Sequence, residues 1–388
     1  MAGSDPFLVF GEPCLGDEEV EAATEVLRSG WIGTGPRCHA FEREFAEHKG
    51  VPEALAVNSC TSALWLALRV LGVGPGTEVI TTPVTFAASC NVVEHLGARP
   101  VFADVEPSTG NMDVSSVAGL VSEKTSAILV VHLAGRPVDL GPLLALRESR
   151  GIPIIEDCAH AVSGAWRGSP LGTIGDAGAF SFYATKNITT AEGGMLLLAD
   201  SEKLDRCRRL AQHGLSADAW TRYSADGDFK HFRVEEPGFK FNLPDLLAAI
   251  GSVQLRKLET HDAWRRRLFD LYREELVDLP LELPPDPVAG DSHGYHLFSP
   301  RLRLEEASVT RDELLSSLRR EHGIGTGVHY TSLHMHPFYR DTYALEPEDL
   351  PAAAAFSERT FSVPLSGCLE EDSVRRVAGA LRRVLGRS

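Results

Sequence analysis

The chain predicts an α/β fold with a mainly parallel sheet, and three observations carry that reading. Seven short apolar runs lie between about Leu55 and Leu198. Helical patterns separate most of them, so the strands must be joined by crossovers, which makes their sheet parallel and covered on both faces. After Gly238 the alternation stops, and long helical stretches with few strands suggest a smaller α+β unit at the C-terminal end.

The elements follow in order. Residues 54–57 read as the first strand, followed by the turn Asn58-Ser-Cys-Thr-Ser62 and a helix over 63–71. Residues 78–82 are the second strand, with a turn at Pro83 and a helix near 87–96. Residues 100–105, 126–132, 153–157, 179–183 and 194–198 complete the seven. Ligand sites of such sheets lie at the carboxyl ends of the strands. Farther on, residues 244–267 read as a helix ending in Arg265-Arg266-Arg267, and 296–302 as a strand. Thr310 with Glu313 forms a capping box that opens a helix through Arg320, and 371–385 reads as a basic amphipathic helix. The boundary is expected inside the linking helix, giving a large domain over 1–255 and a smaller one over 256–388.

Composition sets limits on function. The chain has 388 residues, 43% hydrophobic and 24% charged, enough for a sizeable core without a structural metal. Lys and Arg number 38 against 54 Asp and Glu, a formal charge of −16, which argues against a nucleic-acid partner. No apolar stretch is long enough for a bilayer, so no membrane partner is expected. The opening Met1-Ala-Gly-Ser-Asp-Pro has no basic or apolar leader pattern. The seven cysteines are scattered and odd in number, which points to reduced thiols in a cytoplasmic protein.

Four segments carry chemistry. In Ile154-Ile-Glu-Asp-Cys-Ala-His160 an apolar strand ends in Asp157, a carboxylate that needs a positive partner to stay ionised. Lys186 is the only cation between Arg167 and Lys203 and follows a strand among small residues, where desolvation lowers its pKa, as a Schiff-base lysine requires. Asn58-Ser-Cys-Thr-Ser62 places hydroxyls and backbone N–H groups at a helix start, where a phosphate is stabilised. Phe86 follows the second strand and can stack on a flat ring. Each has a plainer reading as a helix cap, a solvated loop lysine or a core aromatic. Together they describe one ligand: an aldehyde for Lys186, a cationic ring nitrogen for Asp157, a phosphate for Thr61 and Ser181, and a planar ring for Phe86. Pyridoxal phosphate has all four groups.

The chain also resembles the sugar aminotransferases among the fold-type I pyridoxal-phosphate enzymes. The likeness runs through Leu27-Arg-Ser-Gly-Trp-Ile-Gly-Thr-Gly-Pro36, Glu78-Val-Ile-Thr-Thr82, Ile155-Glu-Asp-Cys-Ala-His-Ala161, Thr185-Lys-Asn-Ile-Thr189, Glu192-Gly-Gly194 and Gly238-Phe-Lys-Phe-Asn-Leu-Pro-Asp245. With Gly323-Ile-Gly-Thr-Gly-Val-His329, it leans towards the subgroup that aminates C4 of nucleotide-linked 4-keto sugars, as in the formation of UDP-4-amino-4-deoxy-L-arabinose.

The resemblance implies a large domain with a seven-stranded sheet between helices. It makes Lys186 the imine-forming lysine and Asp157 the partner of the pyridine nitrogen, with His160 beside the cofactor. Cys60 (through its backbone N–H), Thr61 and Ser181 would hold the phosphate. Phe86 takes the place of a stacking aromatic that is often Trp, and Cys60 stands where Gly or Ala is usual. Asn242 would reach across a homodimer interface to the neighbouring cofactor's phosphate. His329 and Tyr330 are expected to contact the sugar, and glutamate to donate the amine. His329, His334 and His336 are read as part of a pocket loop rather than a metal site. The competing readings are transamination of a cyclitol or other non-nucleotide ketone, a sugar dehydratase (disfavoured because such relatives replace the imine lysine with histidine), and a regulatory protein without turnover.

Overall fold

The computed structural model describes residues 6–216 and 233–386. The leader reading at residues 1–5 lies outside them. All seven expected strands form one sheet: β1 (Leu55–Val57), β2 (Glu78–Thr81), β3 (Arg99–Phe102), β4 (Thr125–Val131), β5 (Ile154–Asp157), β6 (Ala177–Ser181) and β7 (Gly194–Leu198). Their order is β1-β7-β6-β5-β4-β2-β3. The four pairings from β6 to β3 are parallel. Only β7 runs against its neighbours. The reason is local: residues 182–193 return directly from β6 to β7 without a crossover helix, which allows only antiparallel pairing. That return carries Lys186. The registers Val131↔Asp157 and Asp157↔Ala179 bring the ends of β4 and β5 level and set Asp157 beside β6.

Helices cover both faces. Cys60–Val70 packs on the sheet and buries Ala63, Leu64, Leu66, Ala67 and Leu68. Gly194 in β7 makes this possible: a Cβ there would stand 2.5 Å from the Ser59 carbonyl carbon, so only glycine lets the helix start come down onto the sheet. Two helices precede the sheet, Asp17–Ser29 and Pro36–Lys49. Sequence reading did not mark them, although Pro36 at the start and Gly50 in the left-handed conformation after the end are the usual signals.

Other expectations shift. The linking helix runs over Asp245–Leu276, past the arginine run at 265–267. Arg265 does not face solvent; it is buried and donates to the carbonyls of Leu365 (3.0 Å) and His296 (3.3 Å). The strand expected over 296–302 shrinks to Arg301–Leu302, paired with Leu281–Glu282. Phe298 makes only a single bridge to Val363. Past Leu268 the long helix packs with the C-terminal helix Glu371–Val384 in a second core around Tyr272, Phe298, Phe361 and Val363. We propose the domain boundary within this helix, near residue 255.

The expectation of seven reduced cysteines is corrected: Cys14 and Cys368 form a disulfide, while the other five are free and buried. The partners are 354 residues apart in sequence. They meet because the N-terminal segment pairs with the C-terminal part of the chain, Leu8 N–H donating to Gly323 O and Gly325 N–H to Leu8 O, both at 2.8 Å. Scattered spacing cannot reveal such a pair. Among the described residues no helix is long and apolar enough to cross a membrane.

Candidate active site

The carboxyl ends of β2, β4, β5 and β6 open on a cavity of about 470 Å³. Nine of the ten expected site residues line it: Cys60, Thr61, Phe86, Asp157, His160, Ser181, Lys186, His329 and Tyr330. Asn242 does not. Its own backbone bridges to Val57, and its Nδ2 donates to Thr34 Oγ1 while its Oδ1 is buried without a partner.

β5 shows how strand alternation divides two adjacent acids. Glu156 faces away from the cavity, where its carboxylate accepts from the backbone N–H groups of Gly172 (2.8 Å), Ile174 (2.9 Å) and Gly175 (2.7 Å) and pairs with His132 Nε2 (3.1 Å). Although burial opposes ionisation, His132 and these N–H groups hold Glu156 below the usual carboxylate range. Asp157 lines the cavity and shifts the other way, burial pushing it up while Ser89, Ala159 N–H and Lys186 pull it back. Ser89 Oγ donates to its Oδ2 at 2.7 Å and Ala159 N–H to its Oδ1 at 3.0 Å. The Cys60 thiol lies 3.8 Å from Oδ1. Among the described residues no Lys or Arg nitrogen pairs with Asp157. A buried carboxylate lacking a cation is a fit for a protonated ring nitrogen.

Lys186 also lines the cavity. Burial lowers it to about 8, against the opposite pull of Cys60 and Asp157. The helix Cys60–Val70 begins here, with Ser59 as its cap accepting from Ser62 N–H at 3.1 Å. Cys60, Thr61 and Ser181 thus stand where a phosphate would meet the positive helix end. These residues fit pyridoxal phosphate: an amine, a carboxylate without a cation and an anion-binding helix start share one cavity. Phe86 is 64% exposed at the rim, its ring 6.2 Å from that of Tyr330.

His160 is held on both edges. Ala134 N–H donates to its Nδ1 (3.3 Å), which places the proton on Nε2, and that N–H donates to Tyr330 Oη (3.1 Å). Burial, with Lys186 and His329 nearby, keeps His160 well below its ordinary pKa. His329 bonds Ser362 Oγ at 2.8 Å through Nδ1, stacks on Phe10 and is lowered by burial to about 4. Burial raises Tyr330, so it keeps its proton. The three loop histidines do not converge: His334 bonds Ser332 and His336 bonds the Thr331 carbonyl. His132, Glu156 and Cys158 lie close enough to share a metal, but the Glu156 oxygens are already taken by three backbone N–H groups and His132.

Sequence reasoning missed Ser89, His296 and the wall formed by Phe10 and Gly11, all of which line the cavity. Ser89 had a local signal: it lies one helical turn after Thr85, and their hydroxyls bond at 2.9 Å. His296 and Phe10 had none, since they arrive from distant parts of the chain.

The chain is similar to known proteins over nearly its whole length. The DegT/DnrJ/EryC1/StrS aminotransferase family matches residues 13–382. The spore coat polysaccharide biosynthesis protein SpsC of Bacillus subtilis is 41% identical over 379 residues, covering 98% of this chain and 97% of its own. Among solved structures, PseC of Helicobacter pylori, an aminotransferase involved in the biosynthesis of pseudoaminic acid, superposes with a TM-score of 0.90 at 30% identity, covering 98% of this chain and 100% of its own. DesI, solved in the presence of its TDP-sugar product, gives a TM-score of 0.86 at 30% identity, covering 100% and 95%.

Proposed function

Because this chain belongs to the DegT/DnrJ/EryC1/StrS aminotransferase family, and is therefore a pyridoxal-phosphate-dependent sugar aminotransferase, we propose that it moves an amino group from L-glutamate to C4 of a nucleotide-linked 4-keto sugar. One observation carries the assignment of roles: Lys186 and Asp157 line one cavity, the first with a depressed pKa and the second buried without a cation. The TDP-sugar product seen with DesI supports a nucleotide-linked substrate.

When bound, pyridoxal phosphate supplies a protonated ring that draws in the electron pair left on a carbon losing its proton. This chain's residues do the rest. Asp157, held by Ser89 and the Ala159 N–H, would set its carboxylate against the cofactor's ring nitrogen, whose positive charge would keep it ionised. Lys186 would supply the amine that holds the cofactor's aldehyde end, and its Nζ would hold and return a proton. Thr61, Ser181 and the backbone N–H of Cys60 would hold the phosphate. His160 donates through Nε2, Phe86 covers the ring, and His329 and Tyr330 meet the sugar. A homodimer with shared sites belongs to this reading, with Asn242 reaching the neighbouring subunit's phosphate through its Nδ2 donor, which this chain alone gives to Thr34 Oγ1. A cytoplasmic location also belongs to this reading.

The test has two arms. Borohydride reduction of the yellow holoenzyme followed by peptide mapping should find the cofactor on Lys186; another peptide refutes the site. A panel of nucleotide keto-sugars and free cyclitol ketones, offered with glutamate, should show amine transfer to the nucleotide-linked 4-keto compounds. Transfer to the free ketones alone would move the substrate to the cyclitol class.

A further inference from the structure

Beside Lys186 runs a line of buried polar side chains that the roles above leave unused. Asn187 Nδ2 donates to Asp262 Oδ1 at 3.0 Å and to the Gly294 carbonyl at 2.6 Å. Both amide hydrogens are thereby spent on acceptors. The remaining atom, Oδ1, lies 3.0 Å from His296 Nδ1 and can only accept, so the His296 proton sits on Nδ1. The His296 ring in turn lies against His160, with centroids 4.4 Å apart and planes tilted by 34°. His160 carries its proton on the other nitrogen, Nε2, because Ala134 N–H occupies Nδ1. Two neighbouring imidazoles thus hold opposite tautomers. Burial keeps both of them neutral. Asn187, His160 and His296 are 5%, 6% and 4% exposed, so little water competes for these bonds.

We propose that Asn187 and His296 are positioning residues of the transamination site, through which Asp262 fixes the tautomer of His296 and, by ring contact, the plane of His160. The chemical consequence rests on the aminotransferase reading; the tether itself does not. With His296 locked against its face, His160 cannot turn, and its Nε2–H stays aimed at the cavity, here at the Tyr330 oxygen. Tyr330, accepting there, keeps its own hydrogen for a second partner. A free His296 could take its proton on either nitrogen and swing away from His160. Small misplacements of groups at a reacting centre cost up to about 100-fold in rate.

The experiment uses protein labelled with ¹⁵N-histidine, both unloaded and with pyridoxal phosphate bound. Imidazole ¹⁵N–¹H correlations read the tautomers directly, His296→Asn and His160→Gln variants serving to assign the signals. Wild type should show Nδ1–H for His296 and Nε2–H for His160. Asn187→Ala should lose the His296 Nδ1–H signal and lower kcat of the loaded enzyme by about 10- to 100-fold, with little change in KM. His296→Asn retains an N–H near the Nδ1 position and should keep more of kcat than His296→Leu. A wild-type His296 protonated on Nε2 overturns the proposal, and so does an Asn187→Ala enzyme with unchanged kcat. If Asn187→Ala fails to fold, the His296 pair decides: equal kcat in the Asn and Leu variants overturns it. Correct tautomers in a wild-type protein that aminates no keto-sugar would refute the aminotransferase reading and leave the tether standing.

Discussion

Two lysines of this protein are pushed down to about 8 by burial, yet their surroundings could hardly differ more. Lys49 ends the helix Pro36–Lys49, buried, with its Nζ donating to the carbonyls of Val162 (2.6 Å) and Leu171 (3.1 Å) and lying 4.6 Å over the Phe180 ring. Lys186 is half-buried, and its surface opens on the cavity that Asp157 also lines. Desolvation depresses both amines to the same degree, so a lowered pKa does not by itself mark a nucleophile. Access and a facing carboxylate do.

The sharpest way to break this comparison is to remove each amine in turn. Lys186→Ala should lower amine transfer by at least about 10²–10⁴-fold, the range for a positioned acid–base group, with covalent capture of the cofactor lost as well. Lys49→Met should leave the activity of the folded fraction unchanged. Equal losses in the two variants would mean that position in the cavity does not matter.

A smaller but still large effect separates the two acids of β5. Asp157→Asn removes the charge facing the ring while keeping the shape, and should lower kcat by roughly two orders of magnitude, with cofactor capture by Lys186 retained. Glu156→Gln turns an amide hydrogen towards backbone N–H donors and should lower stability by about 1–3 kcal/mol, seen in urea unfolding, with kcat per folded molecule preserved. An Asp157→Asn enzyme of unchanged kcat would remove the role given to its charge.

Lys49→Met has its own measurable cost. It strands the carbonyls of Val162 and Leu171, for a loss of about 1–3 kcal/mol near neutral pH. That loss should stay constant below about 8 and grow as the pH rises from about 8 towards 10.5. Below about 8 both folded and unfolded wild type carry the proton, and the native state bears the full cost of burying it. Between about 8 and the ordinary 10.5 the native protein sheds the proton first, and that cost is relieved. Urea midpoints of wild type and variant across this window check it.

The same contrast shows what could be read in the chain beforehand. Asp157 stood out because it ends an apolar strand, which fixes where it points, and Lys186 because it is the only cation between Arg167 and Lys203, a few residues past a strand. All seven strands were legible for the same local reason. Lys49 was invisible: nothing near it in sequence says that its helix end is roofed by Val162, Leu171 and Phe180. Asn187 stood in plain view beside Lys186, but its meaning depends on Asp262 and His296, which the fold brings in from 75 and 109 residues away. The Cys14–Cys368 pair and the Phe10 wall are of the same kind, contacts between chain ends that no local pattern encodes. Asn242 was singled out by resemblance, and this chain alone does not bring it to the cavity.

The subtlest test of the two lysines is a matter of pH. An amine with a pKa near 8 is about one-tenth neutral at pH 7, against roughly one part in three thousand for an ordinary lysine. Lys186 of the cofactor-free protein should therefore react with pyridoxal phosphate, trapped by borohydride and counted by peptide mapping, along a curve that rises with pH through about 8. Lys49 has the same neutral fraction at every pH, so any difference in its labelling reports access alone. It should stay unlabelled while the protein is folded and become reactive only in urea, where its midpoint moves to that of a free amine. A Lys186 curve centred near 10.5 would mean that the cavity does not desolvate the amine. Native labelling of Lys49 in step with Lys186 would mean that burial beneath Phe180 gives no protection, and the distinction between a structural and a reactive lysine would have to rest on Asp157 alone.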